Sequence, residues 1–257
     1  AVALTLKAGD DTGATAWPVD MRKPFAAAAQ LFEEQPQLRE ALTMPRASFP
    51  VSQVATNAAQ LGSVDAIPDR DSLFRRAPVG RVFDDRFVPS LGLATYMAAH
   101  PDVKLAMTPD GMRVGEHLIP LDAQGNAILR FRGPSQTHLM LNAAAVLQSE
   151  LRILEGGEPT LDPALLKDRY VLFGVTAAGL MDLKPTPMGR TYPGVEVHAT
   201  FLDNLLSADF ATELPNAASV LLILLSGLAA GIIGRGCRNG HQTALGFVLL
   251  LALPPIA

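Results

Sequence analysis

A run of 17 residues without a charge, Ala217–Ile233, constrains this chain more than any other feature, and Arg235, Arg238 and His241 follow it at once. A second apolar run begins at Ala244 and continues to Ala257. A bilayer core takes about 20 apolar residues, or about 17 at the short end, so the first run reads as a membrane span with Asn216 and Gly234 at its margins. Ser226-Gly227 and Ala230-Gly231 offer a small-residue face to a neighbouring helix. A buried helix of a globular domain is the other reading, and two runs joined by a short basic loop favour the span. The expected organisation is therefore a domain over residues 1–213, a first transmembrane helix over 214–234, a loop over 235–242 and a second transmembrane helix over 243–257.

Arg235 and Arg238, with no acid beside them, place the loop in the cytoplasm by the positive-inside rule. Residues 1–213 then lie on the periplasmic or extracellular side of the inner membrane. The single cysteine, Cys237, falls in the loop on the reducing side, so the outer domain is expected to fold by its core without disulfides. About 210 residues suffice for that. The opening Ala1-Val2-Ala3-Leu4 reads as an interior strand, and an upstream export segment is expected. Net charge is −4 with dispersed basic residues and no aromatic-interleaved basic stripe, which argues against nucleic acid as a partner.

Along the outer domain, Ala1–Ala8 is a strand candidate, and Phe25–Ala41 holds a helix interrupted at Pro36. The charged stretch Asp65–Arg76 precedes two strands around a turn at Asp84-Asp85. Pro89 and Ser90 open a helix that continues to Ala99. Residues 103–133 alternate strand and turn, with turns at Pro109-Asp110-Gly111 and Asp122–Gly125, in a meander pattern. Helices are expected over Asn142–Glu150 and near Pro163–Leu166. Tyr170–Val175 reads as a compact apolar strand, and Pro193–Leu206 as a helix. The fold class is α/β: a mixed sheet flanked by helices, with an antiparallel meander, followed by transmembrane α-helices.

Several residues are candidates for a site. Gly174, Thr176, Gly179 and Asp182 follow the apolar strand, where a glycine-rich turn exposes backbone N–H groups able to cradle an anion or small polar ligand. The spacing is not GxGxxG and no phosphate-loop lysine follows, so a structural turn is the competing reading. His198 stands two residues from Glu196, off its helix face, and reads either as a capping or buried histidine or as a ligand or base. Asp65, Asp69, Asp71, Arg75 and Arg76 read either as a charged-ligand site or as an ion-pair network fixing a loop. Arg130 and Arg132 share one strand face, turned toward a crevice, a partner or solvent. No nucleophile elbow, metal-ligand spacing or paired catalytic carboxylates appear, so no cofactor, metal or catalytic residue is expected of this domain.

These residues carry a resemblance. Asp69-Arg70-Asp71 with Arg75-Arg76-Ala77-Pro78, Pro89-Ser90-Leu91, Ile119-Pro120-Leu121-Asp122 and Phe131-Arg132-Gly133-Pro134 occur in order. They are followed by Val171–Leu180, Asp182, Thr186-Pro187, Pro193–Ala199 and Asp203–Leu206. The series, over roughly residues 50–210, resembles the CHASE2 domain, the extracytoplasmic sensor module of bacterial transmembrane receptors. Two departures stand out: Asp71-Ser72 replaces the family's usual Asp-Gly, and the opening strand–helix unit is poorly matched. The resemblance implies a homodimeric, membrane-embedded sensor responding to a small-molecule or protein stimulus. It also implies a cytoplasmic output domain (a nucleotide cyclase, a histidine kinase or a serine/threonine kinase), which would carry any enzymatic activity. The alternatives are a non-sensory dimerisation scaffold and an extracytoplasmic hydrolase using Asp182 and His198.

Overall fold

Period-two alternation in the first strand, β1 (Val2–Lys7), turns Leu4 and Leu6 into the interior. In the computed structural model, which describes residues 1–7, 13–21, 26–176 and 182–236, the chain continues through α1 (Ala28–Leu31) and α2 (Pro36–Leu42). Pro36 takes the first turn of α2, where its missing N–H costs nothing, and separates the two short helices. Then come β2 (Arg46–Ser48), α3 (Ser52–Asn57) and β3 (Leu61–Ser63). Strand β1 pairs antiparallel with β2 and parallel with β3, giving a mixed three-stranded sheet.

The next strands are β4 (Arg76–Pro78), β5 (Gly80–Phe83) and β6 (Arg86–Pro89). Asp84 and Asp85 both adopt positive φ, 47° and 56°, the left-handed pair that a two-residue hairpin requires between β5 and β6. Helix α4 (Leu91–Ala99) is capped by Ser90, whose hydroxyl accepts from the Leu93 N–H. A meander of β7 (Leu105–Thr108), β8 (Gly111–Val114) and β9 (His117–Pro120) follows. Then β10 (Asn126–Ile128) pairs antiparallel with β4.

Helix α5 (Ala143–Leu154) is capped by Asn142. A 3₁₀ turn at Pro163–Leu165 leads toward the hairpin β11 (Leu183–Thr186) and β12 (Gly189–Pro193), and then to α6 (Gly194–Ser207) and α7 (Asn216–Gly236). One apolar cluster gathers Phe32, Phe87, Leu93, Met112, Ile119, Tyr192, Phe201 and Leu205 from helices and strands along most of the first unit. A second, built on Leu4, Leu6, Trp17, Leu61, Phe83 and Val88, lies at β1 and β3. The architecture is α/β with a mixed sheet and an antiparallel meander.

The backbone divides into two units, Ala1–Ala211 and Thr212–Ala257. In the second, the transmembrane expectation is overturned: among the described residues no helix is long and apolar enough to cross a membrane. Helix α7 does form over the apolar run, at Asn216–Gly236. The expectation of a membrane-embedded partner role, and of an inner-membrane location with residues 1–213 periplasmic or extracellular, rested on that span and is withdrawn with it. The second apolar run and loop residues 237–242 lie outside the described residues.

A further correction concerns residues 170–175. They form no strand, and Val171, Phe173 and Val175 are exposed while Tyr170 and Leu172 pack inward. The alternation the sequence predicts is present, but no neighbouring strand pairs with this backbone among the described residues.

Candidate functional site

The charged stretch is organised by a turn at residues 69–73. The Ser72 N–H donates to the Asp69 carbonyl at 2.8 Å, and Ser72 adopts φ 67°, a left-handed conformation that glycine takes freely and serine at a cost. Arg75 grips Asp71 through two parallel bonds, Nη1–Oδ1 at 2.9 Å and Nη2–Oδ2 at 2.7 Å, and also reaches Asp69 at 3.1 Å. The hydrogen bonds from the Arg75 guanidinium hold the Asp71 carboxyl down at about 2, and the two carboxylates raise Arg75 in turn. Arg76 bridges Asp69 at 3.1 Å and Asp122 at 3.2 Å. The other oxygen of Asp122 accepts from the Gln124 and Asn126 N–H groups, which fixes the turn into β10.

From Arg75 the contacts continue without a gap. Its carbonyl accepts from the Leu129 N–H at 2.9 Å, starting a strap, residues 129–138, that turns at 133–136 and bonds to α6. Asn204, fully buried, reads both backbone groups of Arg130: its Oδ1 accepts from the N–H at 2.8 Å and its Nδ2 donates to the carbonyl at 3.0 Å. Beside it, Arg132 pairs with Asp203 at 2.5 Å and with Asp209, just past the end of α6, at 2.6 Å, and Arg130 also reaches Asp209 at 3.2 Å. Two turns earlier, buried Glu196 accepts from the Ser135 hydroxyl at 2.6 Å and the Gln136 N–H at 2.9 Å. Thr200, between them, bonds the Glu196 carbonyl at 2.8 Å and meets the Tyr192 hydroxyl at 3.3 Å. Residues 196, 200, 203 and 204 fall on one face by helical spacing. That face, α6 against the strap, is the candidate site.

The remaining candidates gather at the other end of α6. Gly174 lies against Val195, where a Cβ would come within 2.5 Å of the valine side chain, so no larger residue fits. Thr176 is exposed. Gly179 lies outside the described residues. The Asp182 carbonyl accepts from the Gly194 N–H at 2.8 Å, and its carboxylate pairs loosely with Lys184 at 3.6 Å. Lys184 also lies 5.4 Å over the Phe74 ring, tying β11 to the charged stretch, where the Phe74 N–H donates to the Pro185 carbonyl.

His198 is buried, its Nδ1 has no hydrogen-bond partner among the described residues, and burial, with Lys184 adding, pushes its pKa down to about 4. It is neutral at neutral pH, and no hydrogen bond joins it to Asp182 among the described residues. Among the described residues no group of three or more histidine, cysteine or acidic side chains could hold a metal ion.

Thus Asp71, Arg75, Arg76, Arg132 and Glu196 belong to one continuous path of contacts, while Gly174, Thr176, Asp182 and His198 flank its far end. Sequence reasoning passed over Asn204 and Asp209. An asparagine inside an otherwise apolar helical stripe was the available signal, because such a group is buried only with partners. The family model of the CHASE2 domain matches residues 4–233. No curated protein and no solved structure matches the chain.

Proposed function

We propose that this chain, which belongs to the CHASE2 domain family of sensor modules, passes a change of state along α6 to an output domain of the nucleotide cyclase, histidine kinase or serine/threonine kinase type. The observation that carries this reading is the buried polar face of α6, on which Glu196 and Asn204 bond backbone groups of one strap. A relay needs an element with discrete arrangements whose balance a stimulus biases. Buried polar contacts suit that role, because an intermediate position leaves them unsatisfied rather than weakened. Residues 208–215, which are not helical, link α6 to α7 along the chain.

The test is basal and stimulated output of the receptor polypeptide carrying Asn204→Ala or Glu196→Gln. Basal output is expected to move several-fold while the exposed-face control Leu147→Ser leaves it unchanged. Unchanged basal and stimulated output in folded Asn204→Ala protein sinks the proposal. Hydrolysis by Asp182 and His198 has less behind it, since His198 is buried neutral with no orienting partner among the described residues.

A further inference from the structure

Helix α5 has 12 residues, and only Ser149 among them is buried. Leu147, Leu151 and Leu154 share one face at i, i+4 and i+7 and are 65%, 59% and 73% exposed. Ser149 stands on the opposite face, where its hydroxyl meets the backbone of Leu161 in the connection that follows the helix. A helix shorter than about 12–15 residues is marginal in water alone and is stabilised by packing its apolar face. In α5 the face suited to that packing is turned to solvent.

A second apolar row stands exposed further along the chain, where Val171 and Phe173 are 61% and 81% exposed and Val175 continues their line. The two rows match in length: about 10 Å of helical rise from Leu147 to Leu154, and about 13 Å of extended chain from Val171 to Val175. Both are rooted on α6. His138, just ahead of the α5 cap Asn142, meets Thr200 at 3.5 Å, and Gly174 lies against Val195. Residues 195 and 200 are about 7.5 Å apart along the helix axis, so the root of α5 and the exposed row start close together. Charge favours an antiparallel approach. The end of α5 and the turn beyond it are acidic, with Glu150, Glu155 and Glu158 against Arg152, whereas Lys167 and Arg169 flank Asp168 ahead of the exposed row.

We propose that α5 is a flap, hinged at residues 139–142, that closes over residues 171–175 and seats Leu151 and Leu154 on Val171 and Phe173. The structure holds it open. The contact between Ser149 and Leu161 does not oppose closure, because Leu161 belongs to the connection that travels with the helix. That connection turns at Gly156, which takes φ 78°, and Gly157. A tether this short holds the two rows at an effective concentration in the millimolar range, far above that of a second copy at micromolar protein. The covering partner is therefore the chain's own segment.

The test is cross-linking in the 257-residue chain carrying Cys237→Ser, independent of any output, so its failure leaves the relay reading untouched. Leu147→Cys with Val175→Cys puts reporters at one end of the closed contact and keeps the four residues that make it. With oxidised glutathione and micromolar protein, this pair should form a disulfide within one chain at least about ten-fold faster than Gln148→Cys with Val175→Cys, whose helical position lies about 100° round the axis. Adding Leu151→Asp should abolish the difference and, because Leu151 is exposed in the open form, leave the far-ultraviolet circular dichroism of the chain unchanged. Equal rates for the two pairs overturn the proposal. So does a difference that survives Leu151→Asp, or a disulfide that joins two chains instead of closing within one.

Discussion

Glu196 and Arg75 both hold charged contacts on one connected path, yet they work in opposite environments. Glu196 is 3% exposed and accepts from backbone and hydroxyl donors, whereas the Arg75 and Asp71 side chains are 37% and 52% exposed. In water an ion pair competes with solvent and salt and contributes little, while a buried carboxylate with its donors holds the structure because losing it strands those donors. Geometry alone, which is better at Arg75, ranks the two regions the wrong way round. Burial ranks them correctly.

The contrast breaks first at α6. Glu196→Ala should destabilise the folded chain by about 2–4 kcal/mol in urea unfolding, because the Gln136 N–H and Ser135 hydroxyl lose their acceptor in a covered site. A cost like that of a surface mutation would place Glu196 in solvent and end the comparison. Asn204→Ala follows at about 2–3 kcal/mol, and hydrogen exchange at Arg130 should quicken with it.

His198 sharpens the same boundary through pH. Its folded value, about 4, lies below the ordinary 6.5, so the unfolded chain binds the proton first. The neutral buried ring therefore leaves stability intact above about pH 6.5, and stability falls as pH drops toward 4, by up to about 3 kcal/mol. Unfolding curves of the wild type and His198→Phe at pH 7 and pH 4.5 should differ by this component, and parallel pH profiles would show that the ring is solvated.

At the exposed end, Arg75→Ala should shift Tm by no more than about 2 °C, and moderate salt should erase the difference. Smallest of all, Ser72→Gly should raise stability by under about 1 kcal/mol, since glycine takes the left-handed turn without strain. A loss of stability there would mean that the serine side chain holds the turn.

What the sequence made legible was local. Pro89 and Ser90 announced α4, Pro193-Gly194 announced α6, and the Asp84-Asp85 and Pro109–Gly111 turns announced their hairpins, because caps and turns depend on a few adjacent residues. Periodicity failed where the outcome depends on distant partners. Tyr170–Val175 alternates as a strand should, yet no strand lies beside it, and the alternation merely sorts Tyr170 and Leu172 inward. The apolar run after Asn216 announced a helix, and among the described residues no helix is long and apolar enough to cross a membrane. At the site, the charged candidates were visible as charges, while Asn204 showed only as an asparagine within an apolar helical stripe. Its importance comes from burial against the strap, and its partner, the Arg130 backbone, lies 74 residues away in sequence.

The double bond from Asn204 to Arg130 has a mechanical consequence. A side-chain amide that holds both a backbone N–H and the carbonyl of the same residue acts as a detent: it resists sliding and turning together, and both contacts release in one step. Any displacement of α6 along the strap therefore begins with both bonds broken at once, an all-or-none release rather than a gradual one.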